Sequence, residues 1–524
     1  MNTNRYGVSV WQKDVQRTRA YPSLVQDLSA DVVIVGAGIT GLTAAAILSS
    51  EGKSVIVIEM GHVARGESGN TSAHLTEVFD DRYHTIARNF GQEGAMLAAD
   101  SMRAALSFIE KRVQADAIDC AFKRVPGYLF SDDTDDIAEL QTELTALLSV
   151  GVHAAFADGF PLPFQVKTAL RIENQAQFQP LAYLAALARS VTNNGGRIFE
   201  QTRAIDFDDG EPCKVVTEHG TLTAKHVIVA AHAPVSNRVA LLTKIAAYRS
   251  YVTAWELKSP VASGLYWDTK DPYHYIRTYE SGDKNYLIVG GEDHKTGKER
   301  DTLSRYTELE AYTRARFSVG ELVSAWSGQI LESVDGLPFI GLNSASDHTY
   351  VATGYGGQGL TGGTIAGMML SNAILERAQP WKDLYDARRI KPVAQARRYV
   401  SENVDYPSHA VADRFAPGEV TDVSEIPRGE GRLVRAHGHM LAIYRDPDDK
   451  LHARSAVCTH LGCNVKWNTA ESSWDCPCHG GRFDCKGQVL NGPPLTDLKE
   501  IDADKMPEAK AVKAESPVDA SEKA

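Results

Sequence analysis

Residues 31–59, DVVIVGAGITGLTAAAILSSEGKSVIVIE, decide the fold of the N-terminal part of the chain. The apolar, β-branched run 31–35 predicts a strand, and the stretch rich in Ala and Leu that follows predicts a helix. A second predicted strand, 54–58, ends at Glu59. The turn between the first strand and the helix contains three glycines, Gly36, Gly38 and Gly41. This order of strand, glycine turn, helix and strand predicts a dinucleotide-binding fold.

Each part of this pattern has a chemical role. The glycines permit a tight turn and let the backbone approach a pyrophosphate, while the start of the helix at Ile39 faces the anion. Glu59 follows the first glycine by 23 positions, in range to accept a hydrogen bond from the ribose 2′-hydroxyl. A membrane span over residues 32–48 is disfavoured, because the run is shorter than the roughly 20 apolar residues required and glycines interrupt it.

Two short cysteine–histidine clusters near the C-terminus carry a second signature. They contain Cys458 and His460 and, after fifteen intervening residues, Cys476 and His479. Thiolates and neutral imidazoles together select an iron–sulfur cluster or zinc. Structural zinc sites place two Cys in one loop and two His in another, whereas each loop here has one of each, so the spacing favours iron over zinc.

This spacing resembles that of Rieske proteins, in which two Cys bind one iron of a [2Fe–2S] cluster and two His bind the other. The resemblance implies four cluster ligands and, as in Rieske proteins of the respiratory type, a disulfide between Cys463 and Cys478. Residues 491–494, Asn-Gly-Pro-Pro, resemble the proline loop that covers the cluster in that family. The implied ligands are Cys458, His460, Cys476 and His479. Cys120 and Cys213 are expected to be ordinary apolar residues, and Cys485 is assigned no role.

The first four hundred residues resemble the D-amino-acid oxidase-like superfamily of FAD enzymes. The resemblance rests on Asp335-Gly-Leu-Pro-Phe-Ile-Gly341, on the strand-like segment 226–231 and on the loop 65–74. A second glycine motif at 354–359 lacks a following strand with a terminal acid, so it does not predict a second nucleotide fold. It resembles the glycine-rich helix start that faces the flavin pyrimidine ring in this superfamily.

The resemblance therefore implies FAD as the cofactor. The residues predicted to bind it are Gly36, Gly38, Ile39, Gly41, Glu59, Arg65, Ser72, Ala230, Gly354, Gly356, Gly357, Gly359, Leu360 and Thr361.

These signals together predict an α/β FAD-binding Rossmann-like domain with a discontinuous α+β substrate domain, followed by a small all-β Rieske domain. A chain of 524 residues has room for such a multi-domain plan. The predicted divisions are an N-terminal extension (1–29), the FAD-dependent oxidoreductase (30–405), a linker (406–420), the Rieske domain (421–508) and a disordered tail (509–524).

Two redox centres on one chain predict an oxidoreductase. A substrate would be oxidised at FAD, and electrons would leave singly through the cluster to an external acceptor protein or quinone. The family resemblance implies an amine or an amino-acid derivative as the substrate. Two alternatives stay open, namely an electron-transfer component that feeds an oxygenase and a redox sensor that uses Cys463 and Cys478.

Charge and the N-terminal sequence narrow the class of partner. The net charge of −12 argues against a nucleic-acid partner, because such binding needs clustered basic surface. Residues 1–21 contain Arg, Lys and Asp and no apolar leader, so a secretory signal is not expected. The sequence therefore predicts a cytoplasmic protein without a transmembrane segment.

The substrate site departs from the family pattern. Many amino-acid-oxidising relatives carry W-x-G-x-R, in which the Arg pairs with the substrate carboxylate. Here Trp326-Ser-Gly-Gln is followed by Ile330. Arg277 is the alternative cation, since alternation along a strand would place it on one face with Tyr273 and Tyr275. Tyr275 and Arg277 are thus the candidate catalytic residues, with the alternative that Arg277 is a surface charge and the tyrosines are packing residues.

The reduction potential of the cluster is predicted from two substitutions. High-potential Rieske proteins carry Ser two residues after the second His ligand and Tyr two further on, and both hydroxyls donate hydrogen bonds to the cluster region. Here these positions are Gly481 and Phe483, which offer no side-chain donor. We therefore expect a potential toward the low end of the roughly −150 to +300 mV Rieske range, and we expect Phe483→Tyr to raise it. A redox titration that gave the wild type a potential above about +200 mV would contradict this.

Overall fold

The computed structural model describes residues 7–15, 19–236, 239–344, 346–391 and 417–501. The helices of these residues are α1 (Val10–Asp14), α2 (Ile39–Ser50), α3 (Tyr83–Ala115), α4 (Ile137–Ser149), α5 (Pro180–Asn193), α6 (Val239–Leu242), α7 (Thr302–Arg316), α8 (Gly359–Ile374) and α9 (Lys382–Tyr385). The strands before residue 391 are β1 (Leu28–Val35), β2 (Val55–Ile58), β3 (His74–Leu75), β4 (Lys123–Ser131), β5 (Ala154–Phe156), β6 (Thr168–Gln177), β7 (Arg197–Phe199), β8 (Ala204–Asp208), β9 (Cys213–Thr217), β10 (Gly220–Val229), β11 (Ile245–Leu257), β12 (Leu265–Asp268), β13 (His274–Ser281), β14 (Lys284–Lys295), β15 (Val319–Ser333), β16 (Phe339–Leu342) and β17 (Thr349–Thr353). The strands after residue 417 are β18 (Gly431–Ala436), β19 (His439–Arg445), β20 (Leu451–Ser455), β21 (Lys466–Asn468), β22 (Ser473–Asp475), β23 (Arg482–Asp484) and β24 (Val489–Asn491).

The first sheet has the strand order β16-β17-β10-β1-β2-β7, and β9 extends it beside β10 with β8 outside. Its central strands β17, β10, β1, β2 and β7 pair in parallel. Val32, Val33 and Ile34 in β1 are fully buried, as expected for a strand with both faces covered. The strand, helix and strand predicted over 31–59 are present as β1, α2 and β2, and β1 begins three residues earlier than predicted. The carboxyl ends of parallel strands meet at one edge, where such sheets bind ligands.

Helices α2 and α8 pack closely because small residues face each other. A Cβ on Gly363 would lie 2.6 Å from Ile39 Cγ2, and one on Gly367 would lie 2.6 Å from Thr43 Cβ. Larger residues would push the helices apart. The close contact brings the first turns of both helices to the same edge of the sheet.

The second sheet has the order β15-β11-β14-β13-β12-β4-β6-β3, with β5 beside β6. Its pairs are antiparallel except for β12 with β4. Helix α3 has a kink at Gly91, whose φ is +78°. The strands of this sheet come from residues 74–75, 123–177 and 245–333.

The N-terminal segment packs on the body of the protein. Trp11 in α1 is fully buried, and its Nε1 donates a hydrogen bond to Thr71 O over 2.7 Å. The predicted linker, 406–420, lies outside the described residues up to 416, and the predicted tail lies wholly outside them. Among the described residues, no helix has both the length and the apolar character needed to span a membrane.

Residues 417–501, here called the C-terminal module, form two small sheets with the orders β18-β19-β20 and β21-β22-β23-β24. Trp467, Trp474 and Phe483 are buried in its core. Met60, which follows β2 in the N-terminal part, packs against the same core. The two parts of the chain therefore share apolar packing.

A buried charge cluster also joins the C-terminal module to the second sheet. Arg249 of β11 and Arg482 of β23 both donate to Glu471, over 2.6 and 2.5 Å, and Arg482 donates to Asp475 over 2.9 Å. Burial alone would raise the pKa of Glu471, but the two arginines outweigh it and lower that pKa to about 2. Glu471 is thus an anion at neutral pH, and it bridges a cation from each part of the chain. We refer to these residues as the junction cluster.

Candidate active site and metal centre

One cavity of about 420 Å³ lies where the two sheets and the C-terminal module meet. This volume is within the range of small-molecule and cofactor sites. Its wall includes the ends of β1, β2 and β10, the start of α8 and side chains of β11, β12 and β13. The cavity also reaches β24 and the turn that follows it.

The glycine turn forms a cradle that side chains would fill. Gly36 has a φ of +108°, and a Cβ there would overlap the carbonyl of Ala230. A Cβ on Gly41 would overlap the carbonyl of Gly36, so this glycine permits α2 to pack on the turn. Residues 36–40 line the cavity, which fits a site where a pyrophosphate approaches the chain at a helix N-terminus.

Glu59 is held in a fixed orientation at the cavity wall. Its Oε2 accepts a hydrogen bond from Ala37 N over 2.9 Å, and its Oε1 accepts one from Gly61 N over 2.8 Å. Burial raises the pKa of Glu59, although these two backbone donors oppose the rise. The carboxylate is therefore placed to accept a hydrogen bond from a ribose hydroxyl.

Most of the predicted FAD-binding residues line the cavity. Those that do are Gly36, Gly38, Ile39, Glu59, Ser72, Ala230, Gly356, Gly357, Gly359 and Leu360. The others lie behind the wall. Gly41 packs on the glycine turn, Gly354 has a φ of +76° at the end of β17, and Thr361 is buried in α8. Arg65 points elsewhere, and its Nη2 donates to Val15 O over 3.1 Å.

The side of the cavity under the second sheet is aromatic and apolar. Tyr273, Tyr275 and Ile330 all line it. Tyr275 Oη lies 2.9 Å from Ser250 Oγ, and burial raises the Tyr275 pKa, so its hydroxyl stays protonated. Ile330 presents an apolar side chain at the position where the family motif has its Arg.

Arg277 does not line the cavity, contrary to the role expected of it. It is buried behind the wall, where Nη1 donates to the carbonyls of Ala73 (2.5 Å) and Phe178 (3.3 Å). Its guanidinium also lies over the ring of Trp11, 5.2 Å from the centroid. Strand alternation predicted a face shared with the tyrosines, but it could not predict how far behind the cavity wall the Arg277 side chain lies. In its buried position Arg277 holds the loop before β3. The geometry therefore argues against a direct contact between Arg277 and a substrate.

The charged side chains that do line the cavity differ in their partners. The cations are paired with carboxylates: Arg82 with Glu139, Lys270 with Asp132, and Arg203 with Asp497 and Glu218. Asp80 instead accepts hydrogen bonds from Gly357 N over 2.7 Å and from the Gln358 amide over 2.8 Å. Both donors are neutral, and burial raises the pKa of Asp80 although these two hydrogen bonds oppose the rise.

The two cysteine–histidine loops come together at one end of the C-terminal module. The rings of His460 and His479 lie with centroids 5.0 Å apart and nearly perpendicular planes, and the thiols of Cys458 and Cys476 are within hydrogen-bonding distance. Both loops turn in the same way. Gly462 N donates to Cys458 O and Gly480 N donates to Cys476 O, each over 3.1 Å.

Burial lowers the pKa of both imidazoles to about 4, so both are neutral at pH 7, as metal ligation requires. The donor set of two thiols and two neutral imidazoles fits a Rieske cluster.

A disulfide joins the two loops, between Cys463 and Cys478. The turn after β24 packs over them, because a Cβ on Gly481 would lie only 2.7 Å from Pro494 Cδ. A side chain at 481 would therefore displace this turn. The serine found at this position in high-potential Rieske proteins does not fit here without such a shift.

Gln329 links the cavity to the metal-ligand loop. Its buried side chain lines the cavity, and its Nε2 donates to Gly480 O, next to His479, over 2.7 Å. Its backbone N donates to Glu67, which is also on the cavity wall. The imidazole of His232 lines the cavity as well, and burial lowers its pKa, so it is neutral.

Sequence reasoning missed Gln329, His232, Asp80 and the cavity residues of the C-terminal module. Gln329 was visible only as the variable position of the W-x-G-x-R motif. The turn at 491–494 was assigned to the cluster, and no local pattern indicated that it also reaches the cavity.

Comparison with known proteins agrees with both halves of this arrangement. A family model described as FAD dependent oxidoreductase matches residues 31–373, and one described as Rieske [2Fe-2S] domain matches residues 417–502. The protein YhfW of Bacillus subtilis, named as a Rieske 2Fe-2S iron-sulfur protein, is 32% identical over 93% of this chain and 96% of its own.

Two further similarities concern the N-terminal part. The gamma-glutamylputrescine oxidoreductase of Escherichia coli is 23% identical over 70% of this chain and 88% of its own. The crystal structure of glycine oxidase from Geobacillus kaustophilus superposes with a TM-score of 0.60 at 19% identity, covering 69% of this chain and 99% of its own. At that identity the superposition shows the fold alone.

The predicted fold class and the two predicted cofactors, FAD and a [2Fe–2S] cluster, are confirmed by these matches. The protein is therefore an oxidoreductase, and the chain belongs to the D-amino-acid oxidase-like family of FAD-dependent oxidoreductases with a Rieske [2Fe–2S] domain at its C-terminal end.

Proposed function

We propose that this oxidoreductase is a dehydrogenase of a small amine or amino-acid derivative. The electrons would leave singly through the Rieske cluster to an external acceptor protein or quinone. When bound, FAD takes two electrons from a substrate, whereas a Rieske cluster passes electrons one at a time. The cytoplasmic location stays a prediction from the N-terminal sequence.

The hydrogen bond from Gln329 to Gly480 carries this proposal. It joins the wall of the FAD cavity to the residue beside a cluster ligand through one side chain. Electron tunnelling falls steeply with distance, so a cluster held against the cavity is a better acceptor than one on a detached module. The junction cluster supports the same arrangement by fixing the orientation of the C-terminal module.

The cavity charges support a cationic substrate without an α-carboxylate. Ile330 stands where relatives carry the carboxylate-binding Arg, and Arg277 is held by backbone carbonyls behind the wall. Asp80 offers a carboxyl group whose hydrogen bonds come from two neutral donors, Gly357 N and the Gln358 amide. The E. coli relative carries the name of an amine derivative, gamma-glutamylputrescine, which is consistent with this class.

We assign the cluster to Cys458, His460, Cys476 and His479. The purified protein should contain about two irons and two sulfides per chain. His460→Ala should abolish the Rieske spectrum, because a neutral imidazole ligand is lost. The matched control is His452→Ala, since His452 belongs to the same module but bonds to Asp446 over 2.8 Å. Stoichiometric zinc in protein prepared with and without air would refute the assignment.

Loss of the Gln329 bond should slow electron transfer to the cluster. In Gln329→Leu, Gly480 O loses its side-chain donor, and we expect about tenfold slower cluster reduction, equivalent to roughly 1.4 kcal/mol. Anaerobic stopped-flow absorbance would follow the flavin and the cluster separately after mixing with substrate.

Gln358→Leu is the matched control for this variant. Gln358 lines the same cavity but donates to Asp80 rather than to the C-terminal module. We expect Gln329→Leu to slow cluster reduction more than flavin reduction, and Gln358→Leu not to do so. The proposed route is wrong if the ratio of the two rates is the same in both variants.

Amines should bleach the flavin anaerobically, whereas simple D- or L-α-amino acids should be poor substrates because their carboxylate meets Ile330 and Asp80. For an active amine, Asp80→Asn should raise KM by roughly tenfold, since about 1.4 kcal/mol of charge pairing is lost. Steady-state kinetics with both enzymes would measure this. Rapid bleaching by NADH alone, with no response to any amine, would instead support the electron-transfer component.

A further inference from the structure

We propose that the C-terminal module is part of the FAD-binding site, and that the segment Val489–Leu495 forms one wall of it. The segment is otherwise explained only as the cover of the cluster. The inference uses the FAD cofactor and the geometry of the cavity, and it does not depend on the substrate or on the direction of electron flow.

The first observation is the position of the segment on the cavity wall. Val489, Leu490, Asn491, Gly492, Pro494 and Leu495 line the same cavity as the glycine turn and Glu59. Leu490 is the most informative of them, because 42% of this large apolar side chain is exposed although it faces a cavity. A ligand that filled the cavity against Leu490 would bury part of this apolar side chain, which is favourable.

The second observation is direct packing between the segment and the parallel sheet. A Cβ on Gly492 would lie 2.6 Å from Val235 Cγ1 and 3.6 Å from Ala233 Cβ. Leu495 packs against the apolar cluster that contains Val35 and Ala204. The segment therefore follows the strand ends that surround the cofactor site.

The third observation is a pair of polar anchors, one inside the segment and one two residues beyond it. Asn491 Nδ2 donates to Glu67 Oε1 over 2.9 Å, and Glu67 is on the cavity wall. Two residues beyond the segment, Asp497 Oδ1 accepts from Arg203 over 2.5 Å and from Val489 N over 3.0 Å. Arg203 also lines the cavity, so both anchors hold the segment against the site.

These contacts couple two equilibria. If FAD binds to a wall that both parts of the chain supply, then docking of the C-terminal module strengthens FAD binding, and bound FAD strengthens docking by the same factor. The C-terminal module thus retains the flavin in addition to carrying the cluster.

The first test is FAD affinity in the full-length protein. Leu490→Ala should raise the FAD dissociation constant about tenfold, because it removes an apolar contact of the bound cofactor. Leu148→Ala is the control, since Leu148 is an equally large side chain that is 55% exposed on α4, away from the cavity. An intact Rieske spectrum in both variants shows that the C-terminal module is folded. An FAD dissociation constant for Leu490→Ala equal to that of the control would overturn the proposal.

The second test needs no substitution. Hydrogen exchange of the wild-type chain, depleted of FAD and then reloaded, should slow in residues 489–495 when FAD binds. The hairpin of β18 and β19 in the same module does not line the cavity and serves as the internal reference. Equal exchange of residues 489–495 with and without FAD would overturn the proposal. Neither readout involves substrate turnover, so a failure of the proposed dehydrogenase activity would leave both results unchanged.

Discussion

Glu471 lies between a guanidinium from each part of the chain, and the relation between the two cofactor sites depends on this anion. Arg249 belongs to the sheet that covers the cavity, and Arg482 belongs to the strand that follows the second ligand loop. Removal of one partner from a buried ion pair typically costs about 3–5 kcal/mol, because the other charge stays buried without compensation. The junction cluster therefore favours one orientation of the C-terminal module. In this orientation residues 476–480 lie against Gln329.

The sequence predicted those features that short stretches of chain determine. The glycine turn at Gly36 and the acid at Glu59 belong to one β–α–β unit, so spacing alone located them. The cysteines and histidines of the two loops were found for the same reason, because metal-ligand spacing is local. The structure brings these loops together and joins Cys463 to Cys478.

Features that arise from tertiary contacts were not predictable in this way. Tyr273 and Tyr275 both line the cavity, but strand alternation could not show that Arg277 lies deeper, among carbonyls from two other segments. Arg65 begins the loop 65–74 that was expected to bind FAD, yet its side chain donates a hydrogen bond to Val15 O instead. Gln329 and Leu490 carry no motif, and their positions on the wall result from the packing of two different sheets against each other. A long-range approach of this kind has no signature in a single sequence.

The fit between the two parts is close enough to limit what could replace either of them. Gly480 has a φ of +70°, and a Cβ there would overlap Ala247, while a Cβ on Gly297 would lie 2.8 Å from Pro477 N. Gly480 lies against the side chains of Ala247 and Gln329, whereas Gly297 lies against the backbone of residues 475–477. A Rieske domain transplanted from another protein would need a glycine at the position of Gly480, and its host would need one at the position of Gly297. Recombination between unrelated members of the two families would therefore place side chains in this joint that keep the two parts from seating against each other.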